Sequence, residues 1–160
     1  MLFVLGSMNL EGADMRYLMI VKATPMSENG EFPPDAEKMF ADMAAFNNEM
    51  IAAGVMLDGA GLKPSSEGKR IRFAGRGNTL VTDGPFAETK ELIAGYWLIK
   101  CKDMAEALSW AKRIPFDEGE VELRPFQEPE DFQGLASDEA IAQEQAWREA
   151  QQRNAPRTPA

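Results

Sequence analysis

The order of strand-like and helix-like segments predicts an α+β domain of the ferredoxin-like type, with an antiparallel sheet and helices on one of its faces. Two observations support this prediction. The first is a β-α-β order that occurs twice, with a β-hairpin pattern inserted between the two copies. The second is a length of 160 residues with 44% apolar and 27% charged residues, which is enough for one independently folded core.

The first β-α-β unit begins with the apolar run Arg16–Val21, which predicts a central strand buried on both faces. Residues 23–34 are rich in proline and contain glycine, so they are expected to form a loop. A helix is predicted for Asp35–Ala53 because methionine and phenylalanine recur there at spacings of three and four. Gly54 is suited to end this helix.

A second strand is predicted from Val55–Leu57, and Gly59 and Gly61 are expected to break it up. Lys69–Phe73 then alternates between cationic and apolar residues, which is typical of a strand. Residues 79–82 return as its hairpin partner after a glycine-rich turn.

The second β-α-β unit starts with a central strand over Leu92–Lys100, in which Tyr96 and Trp97 should point to opposite faces. Asp103–Arg113 is predicted to be a helix that is capped by its first residue. Residues 120–124 alternate and are predicted to be the last strand.

Changes in composition predict three regions along the chain. Residues 1–14 are expected to be an extension outside the fold, residues 15–127 to be the domain, and residues 128–160 to be a tail rich in alanine and glutamine. The formal charge is −9 overall, and the tail supplies −4 of it. Ser137 is suited to cap a tail helix over residues 137–153.

The residue composition excludes several classes of function. The chain contains no histidine and one cysteine, so His-dependent catalytic pairs and His-containing metal sites are excluded, and neither a metal nor a cofactor is predicted. The acidic charge argues against binding to nucleic acid or to a membrane surface. No apolar run is long enough to span a membrane or to act as a signal peptide, so a cytoplasmic location is expected.

The predicted sheet has a second face that must also be covered, because its central strands carry little polar surface. A second copy of the chain could cover this face in a homodimer, sheet against sheet. The C-terminal tail is the competing explanation. If the tail helix is ordered, its two strong apolar residues, Ile141 and Trp147, should dock on its own chain or on the partner.

One segment is more specific than the rest of the sequence. Residues 83–91 read Asp-Gly-Pro-Phe-Ala-Glu-Thr-Lys-Glu, directly before the strand with Tyr96 and Trp97. This string closely resembles the signature of the YCII-related superfamily, in particular its DGPF (DGPFAETKE) branch. The resemblance covers about residues 15–127 and also includes Val121–Pro125.

The resemblance implies a dimeric α+β-barrel, in which two ferredoxin-like protomers pack their sheets together. It also implies a small bacterial cytoplasmic protein, often found beside a gene for an extracytoplasmic-function sigma factor. Simpler members of the superfamily are thought to use a His–Asp pair. This chain has no histidine, so the pair cannot be carried over, and only an aspartate such as Asp83 could remain from it.

The polar cluster within this segment supplies the candidate site residues. Asp83 and Glu88 are the candidate catalytic residues, since a carboxylate desolvated beside an aromatic ring can act as a general base. Five further residues are candidates for ligand binding: Arg72, Phe86, Thr89, Lys90 and Tyr96. A structural turn without any ligand explains the same segment, and so does a contact between dimer subunits; the sequence leaves these alternatives open.

Two functions from different classes follow. One is a homodimer that binds a small molecule, with lyase or hydrolase activity on a small polar aromatic compound or acid as its catalytic form. The other is a non-catalytic regulatory module that works with a sigma-factor-linked protein and uses the acidic tail as an interaction appendage. The sequence does not decide whether the protein is an enzyme.

Overall fold

A computed structural model describes residues 14–158 of the chain, in which two antiparallel sheets and four α-helices are formed. The predicted N-terminal extension, apart from Asp14, lies outside the described residues. In chain order the elements are β1 (Met15–Lys22), α1 (Pro25–Glu28), α2 (Ala36–Ala52), β2 (Met56–Gly61), β3 (Lys69–Phe73), β4 (Thr79–Asp83), β5 (Ile93–Cys101), α3 (Met104–Ala111), β6 (Val121–Pro125) and α4 (Asp138–Arg153).

The larger sheet has four strands in the order β2-β5-β1-β6, and every neighbouring pair is antiparallel. The two long apolar strands therefore lie at its centre, as predicted. The predicted double β-α-β order is confirmed. The first unit is β1, α2 and β2, the hairpin follows it, and the second unit is β5, α3 and β6.

Helices α2 and α3 cover one face of this sheet and form the core with it. Side chains alternate along β5, so Trp97 points toward the helices while the side chain of Tyr96 lies on the opposite face, as predicted. The core joins residues from both helices and all four strands: Tyr17, Met19, Val21, Phe46, Met50, Met56, Trp97, Ile99, Ala107, Trp110 and Leu123.

Two local predictions are wrong. The segment predicted as a loop contains the one-turn helix α1, in which the Thr24 hydroxyl accepts a hydrogen bond from the Ser27 N–H. A single turn is too short to show helical periodicity in the sequence. Strand β2 also continues through Gly59 and Gly61, because these residues pair with Trp97 and Gly95 of β5. At Gly59 a side chain would collide with the Trp97 ring, so glycine is needed there for the pairing rather than for a break.

The predicted hairpin is confirmed as a sheet of its own. Strands β3 and β4 pair in register from Lys69 opposite Asp83 to Phe73 opposite Thr79. Every residue of both strands is exposed. Four large apolar side chains therefore contact water in the single chain: Ile71, Phe73, Leu80 and Val81.

The predicted tail helix is present as α4, with the Ser137 hydroxyl accepting from the Ala140 N–H. Charged groups hold this helix to the domain: Arg148 is 8% exposed and pairs with Glu128, which in turn lies 3.5 Å from Nε of Arg16. Of the two apolar residues expected to dock, Ile141 is half-buried and Trp147 is exposed. Trp147 is 57% exposed in the single chain.

The tail also contacts the second face of the sheet. Arg16 lies on this face, since its β1 neighbour Tyr17 points into the core, and its Nη1 donates to Oε1 of Gln151 at 3.2 Å. Lys100, opposite Arg16 in the sheet, lines a cavity of about 280 Å³ together with Gln152 and Pro156. The tail therefore covers one end of the second face.

Candidate functional site

The DGPF segment rests against the turn that precedes the hairpin. A Cβ atom placed on Gly84 would lie 1.8 Å from the carbonyl oxygen of Ser65, so the close approach of the two backbones requires glycine at this position. The Gly84 N–H also donates to the carbonyl oxygen of Gly68 at 3.0 Å. The glycine of the motif thus has a structural role.

The phenylalanine of the motif is part of the same junction. The Phe86 N–H donates to the Ser65 hydroxyl oxygen at 3.1 Å, and that hydroxyl donates to Oε2 of Glu28 at 2.5 Å. The guanidinium of Arg70 lies 4.0 Å from the centre of the Phe86 ring, within the range of a cation–π contact. Helix α1, the turn at Ser65 and the motif are therefore joined by side-chain contacts.

The two predicted catalytic carboxylates are on the surface. The side chain of Asp83 is 74% exposed and pairs with Nζ of Lys69 at the end of the hairpin. Glu88 is also exposed, and its carbonyl oxygen accepts from the Glu91 N–H in a short 3₁₀ helix. The desolvation that would make either group a general base is absent in the single chain, so their catalytic roles stay predictions.

The predicted ligand-binding residues do not converge on one point. Arg72 and Lys90 are exposed, Thr89 is half-buried in the 3₁₀ helix, and Phe86 is half-buried below Arg70. The cavity beside the C-terminal tail and a second cavity, between α2 and the sheet, are both lined by residues outside 83–91. The binding roles of these residues stay predictions as well.

Tyr96 makes a defined polar contact. Its hydroxyl donates to Oδ2 of Asp58 at 2.8 Å, and this hydrogen bond raises the pKa of Tyr96 above its ordinary value. The other carboxylate oxygen of Asp58 accepts from the Gly59 N–H at 2.8 Å. Asp58 therefore fixes the orientation of the Tyr96 ring on the second face of the sheet.

Cys101 is unreactive in this fold. The neighbouring lysines in the sequence suggest a lowered pKa, but the thiol is buried and burial raises the pKa of Cys101 to about 12. The thiolate is thus scarce at neutral pH. This outcome agrees with a structural role for the residue.

A cavity of about 260 Å³ lies between helix α2 and the sheet. Its volume is just below the usual range for small-molecule sites, which begins at about 300 Å³. The residues that line it are all uncharged and come from the helix, from β1, β2 and β5, and from the segment after α3: Val21, Met39, Phe40, Met43, Asn47, Gly59, Ala60, Gly61, Gly95, Tyr96, Trp97 and Phe116.

Three glycines line the sheet side of this cavity. Gly59, Gly61 and Gly95 lie on the two adjacent strands β2 and β5, on the face that carries Trp97. A Cβ on Gly59 would lie 2.8 Å from Cδ1 of Trp97, and one on Gly95 would lie 2.9 Å from the carbonyl oxygen of Ala60. The sequence does not reveal this site, because Gly59 and Gly61 predict a break in the strand rather than the floor of a cavity.

One polar group lines the helix side of the cavity. The Trp97 Nε1–H donates to Oδ1 of Asn47 at 2.8 Å, which joins α2 to β5. The Trp97 ring packs edge-on against Phe46, with ring centres 5.8 Å apart, and 6.3 Å from the ring of Phe116. The cavity therefore has a rigid aromatic wall with an oriented amide beside it.

Metal-ligand clusters and membrane-spanning helices are both absent from residues 14–158. No group of three or more aspartate, glutamate or cysteine side chains lies together in residues 14–158 in a way that could hold a metal ion. Within that part of the chain, no helix has the length and apolar character needed to cross a bilayer.

The fold and the cavity define a small α+β protein with a ligand-sized space between one helix and the sheet. Residues 15–128 match the YCII-related domain, and the chain belongs to this family. It is also similar to an uncharacterised protein, R00369, of Rhizobium meliloti (strain 1021), with 36% identity over 93 residues that cover 56% of this chain and 74% of the relative. The family assignment thus agrees with the resemblance to the YCII-related superfamily seen in the sequence.

Proposed function

We propose that this protein is a homodimer of the DGPF branch that binds a small, neutral, largely aromatic molecule between α2 and the sheet. The observation that carries the proposal is the uncharged cavity of about 260 Å³ beside Trp97. Its glycine floor gives a flat ligand direct access to the strand backbones. Aromatic walls of this kind suit an aromatic ring.

The uncharged lining supports the aromatic compound of the sequence prediction over the acid. A carboxylate that enters the cavity would lose its hydration and meet no cationic side chain, and burial of an unpaired charge is costly. The proposal concerns binding and does not extend to a lyase or hydrolase step. The two carboxylates predicted to catalyse such a step, Asp83 and Glu88, are exposed and lie outside the lining.

The exposed apolar residues support the homodimer. In the hairpin, Ile71 is 52% exposed and Phe73 is 76% exposed. Exposed apolar side chains that lie together are typical of an interface, and contact with a second copy of the chain would remove them from water. The test is the mass in solution by light scattering. A mass near 17.7 kDa at micromolar concentration would contradict the dimer, and a mass near twice that value is expected.

The binding proposal is tested with indole and benzoate as probes, by titration calorimetry on the full chain. We expect indole to bind and benzoate, which is charged, to bind at least tenfold more weakly. Gly61 gives a graded control, because the nearest atom to a Cβ there is the Ala94 carbonyl oxygen at 4.0 Å. Gly61→Ala should weaken indole binding slightly, whereas Gly61→Leu should fill the cavity and abolish binding without unfolding the chain.

Two results would contradict the proposal. One is the absence of indole binding to the wild-type protein. The other is unchanged indole binding in a folded Gly61→Leu variant, since this would place the bound probe elsewhere. Thermal unfolding of each variant confirms that a loss of binding is not a loss of fold.

A further inference from the structure

Asn47 lines the cavity, and its contact with Trp97 determines how its side-chain amide is oriented. An indole Nε1–H can only donate, so the amide atom that faces it must be the oxygen of Asn47. The NH₂ group of Asn47 consequently points away from Trp97. Among the described residues, no group accepts a hydrogen bond from this NH₂.

The orientation of the amide is fixed by packing. Trp97 is 7% exposed and is held by Phe46, Phe116 and the backbone of Gly59, so the indole cannot turn away. Rotation of the Asn47 amide by 180° would place two donors against each other and would leave a buried N–H without an acceptor. The NH₂ group therefore keeps this orientation, on a residue that lines the cavity.

The hydroxyl group of Tyr96, another residue of the lining, does not compete for this role. The hydroxyl hydrogen of Tyr96 is used in the bond to Asp58, and strand alternation places the Tyr96 ring on the face opposite to Trp97. Among the side chains that line the helix face of the cavity, Asn47 is thus the one with an N–H group left to donate to a ligand.

We infer that the ligand class is a neutral aromatic compound with an acceptor oxygen, such as an aryl ketone, whose carbonyl accepts a hydrogen bond from the Asn47 side chain. This inference rests on the proposed function, because it concerns the same cavity. The aromatic body would occupy the apolar space and the carbonyl oxygen would lie at the α2 wall. An isosteric hydrocarbon would fill the same space and leave the amide without an acceptor.

The test compares acetophenone with ethylbenzene, which have nearly the same shape and differ in the carbonyl oxygen. We expect acetophenone to bind the wild-type chain roughly three- to tenfold more tightly, the usual range for one net hydrogen bond. In Asn47→Asp the carboxylate still accepts from Trp97 but has no N–H to donate, so the preference should disappear. Asn48→Asp is the matched control, since Asn48 is exposed on the same helix, and it should keep the preference.

A second measurement keeps the inference testable if Asn47→Asp does not fold. In ¹⁵N-labelled wild-type protein, acetophenone should shift the side-chain NH₂ signals of Asn47, and ethylbenzene should shift them much less. Equal affinity for the two probes, together with loss of both in Gly61→Leu, would overturn this inference and leave the binding proposal standing. Failure of both probes to bind the wild-type chain would overturn both proposals.

Discussion

Replacement of Gly84 by alanine tests whether the DGPF motif is primarily a structural junction. The added Cβ would lie 1.8 Å from the Ser65 carbonyl oxygen and 2.6 Å from its carbonyl carbon. Both are backbone atoms, so no side-chain rotation can relieve the clash. The motif must then move away from the turn at Ser65.

The magnitude follows from the contacts that this movement breaks. They are the hydrogen bond from Gly84 to Gly68, the one from Phe86 to Ser65, and the contact of the Phe86 ring with Arg70. A net hydrogen bond contributes about 0.5–1.5 kcal/mol and an exposed cation–π contact about 0.5–1 kcal/mol. We therefore expect Gly84→Ala to lower the free energy of unfolding by about 1.5–4 kcal/mol.

The assay is urea unfolding followed by far-UV circular dichroism, with Asp83→Ala as the neighbouring control. The Asp83 side chain is 74% exposed, and exposed ion pairs contribute about 0–1 kcal/mol, so this control should change stability little. A Gly84→Ala variant as stable as the wild type would refute the structural reasoning. So would an Asp83→Ala variant that is the less stable of the two.

Two further predictions concern buried groups. Burial raises the pKa of Cys101 from 9.0 to about 12, so the folded state holds the thiol proton more tightly than the unfolded state does. The free energy of unfolding of the wild type, measured relative to that of Cys101→Ala, should therefore be constant below about pH 9. It should decline by about 2 kcal/mol by about pH 10.5. A parallel pH profile for the two proteins in urea unfolding would contradict this. Arg148→Ala removes the main charged contact of α4 with Glu128, so amide hydrogen exchange over residues 138–153 should rise at least tenfold. Unchanged exchange there would show that other contacts hold the tail.

The sequence could predict the order of the elements because that information is local. Apolar runs and helical periodicity located β1, α2, β5 and α3 to within a few residues, and the Ser137 cap located the start of α4. The caps at Asp103 and Ser137 are formed as expected. The string at residues 83–91 pointed to the family that matches residues 15–128. These features depend on neighbours in the chain or on a rare string, and a single sequence contains both.

Only the tertiary structure decided where the candidate site lies. Asn47 and Trp97 are 50 residues apart in the chain, and nothing in either local sequence predicts that the amide accepts from the indole. In the sequence, the glycines of β2 indicate a broken strand. Strand pairing instead places them beside Gly95, on the face of the sheet that carries Trp97.

The charged contacts of the tail also depend on the tertiary structure. Arg148 and Glu128 belong to a tail that is acidic and polar in the sequence, which indicates a solvated segment. In the structure Arg148 is buried and Glu128 is half-buried, and Glu128 also contacts Arg16, which is 112 residues away at the start of β1. Local patterns determine helices and strands because backbone hydrogen bonds and side-chain periodicity act over a few residues, whereas cavities and buried ion pairs form only when distant elements pack together.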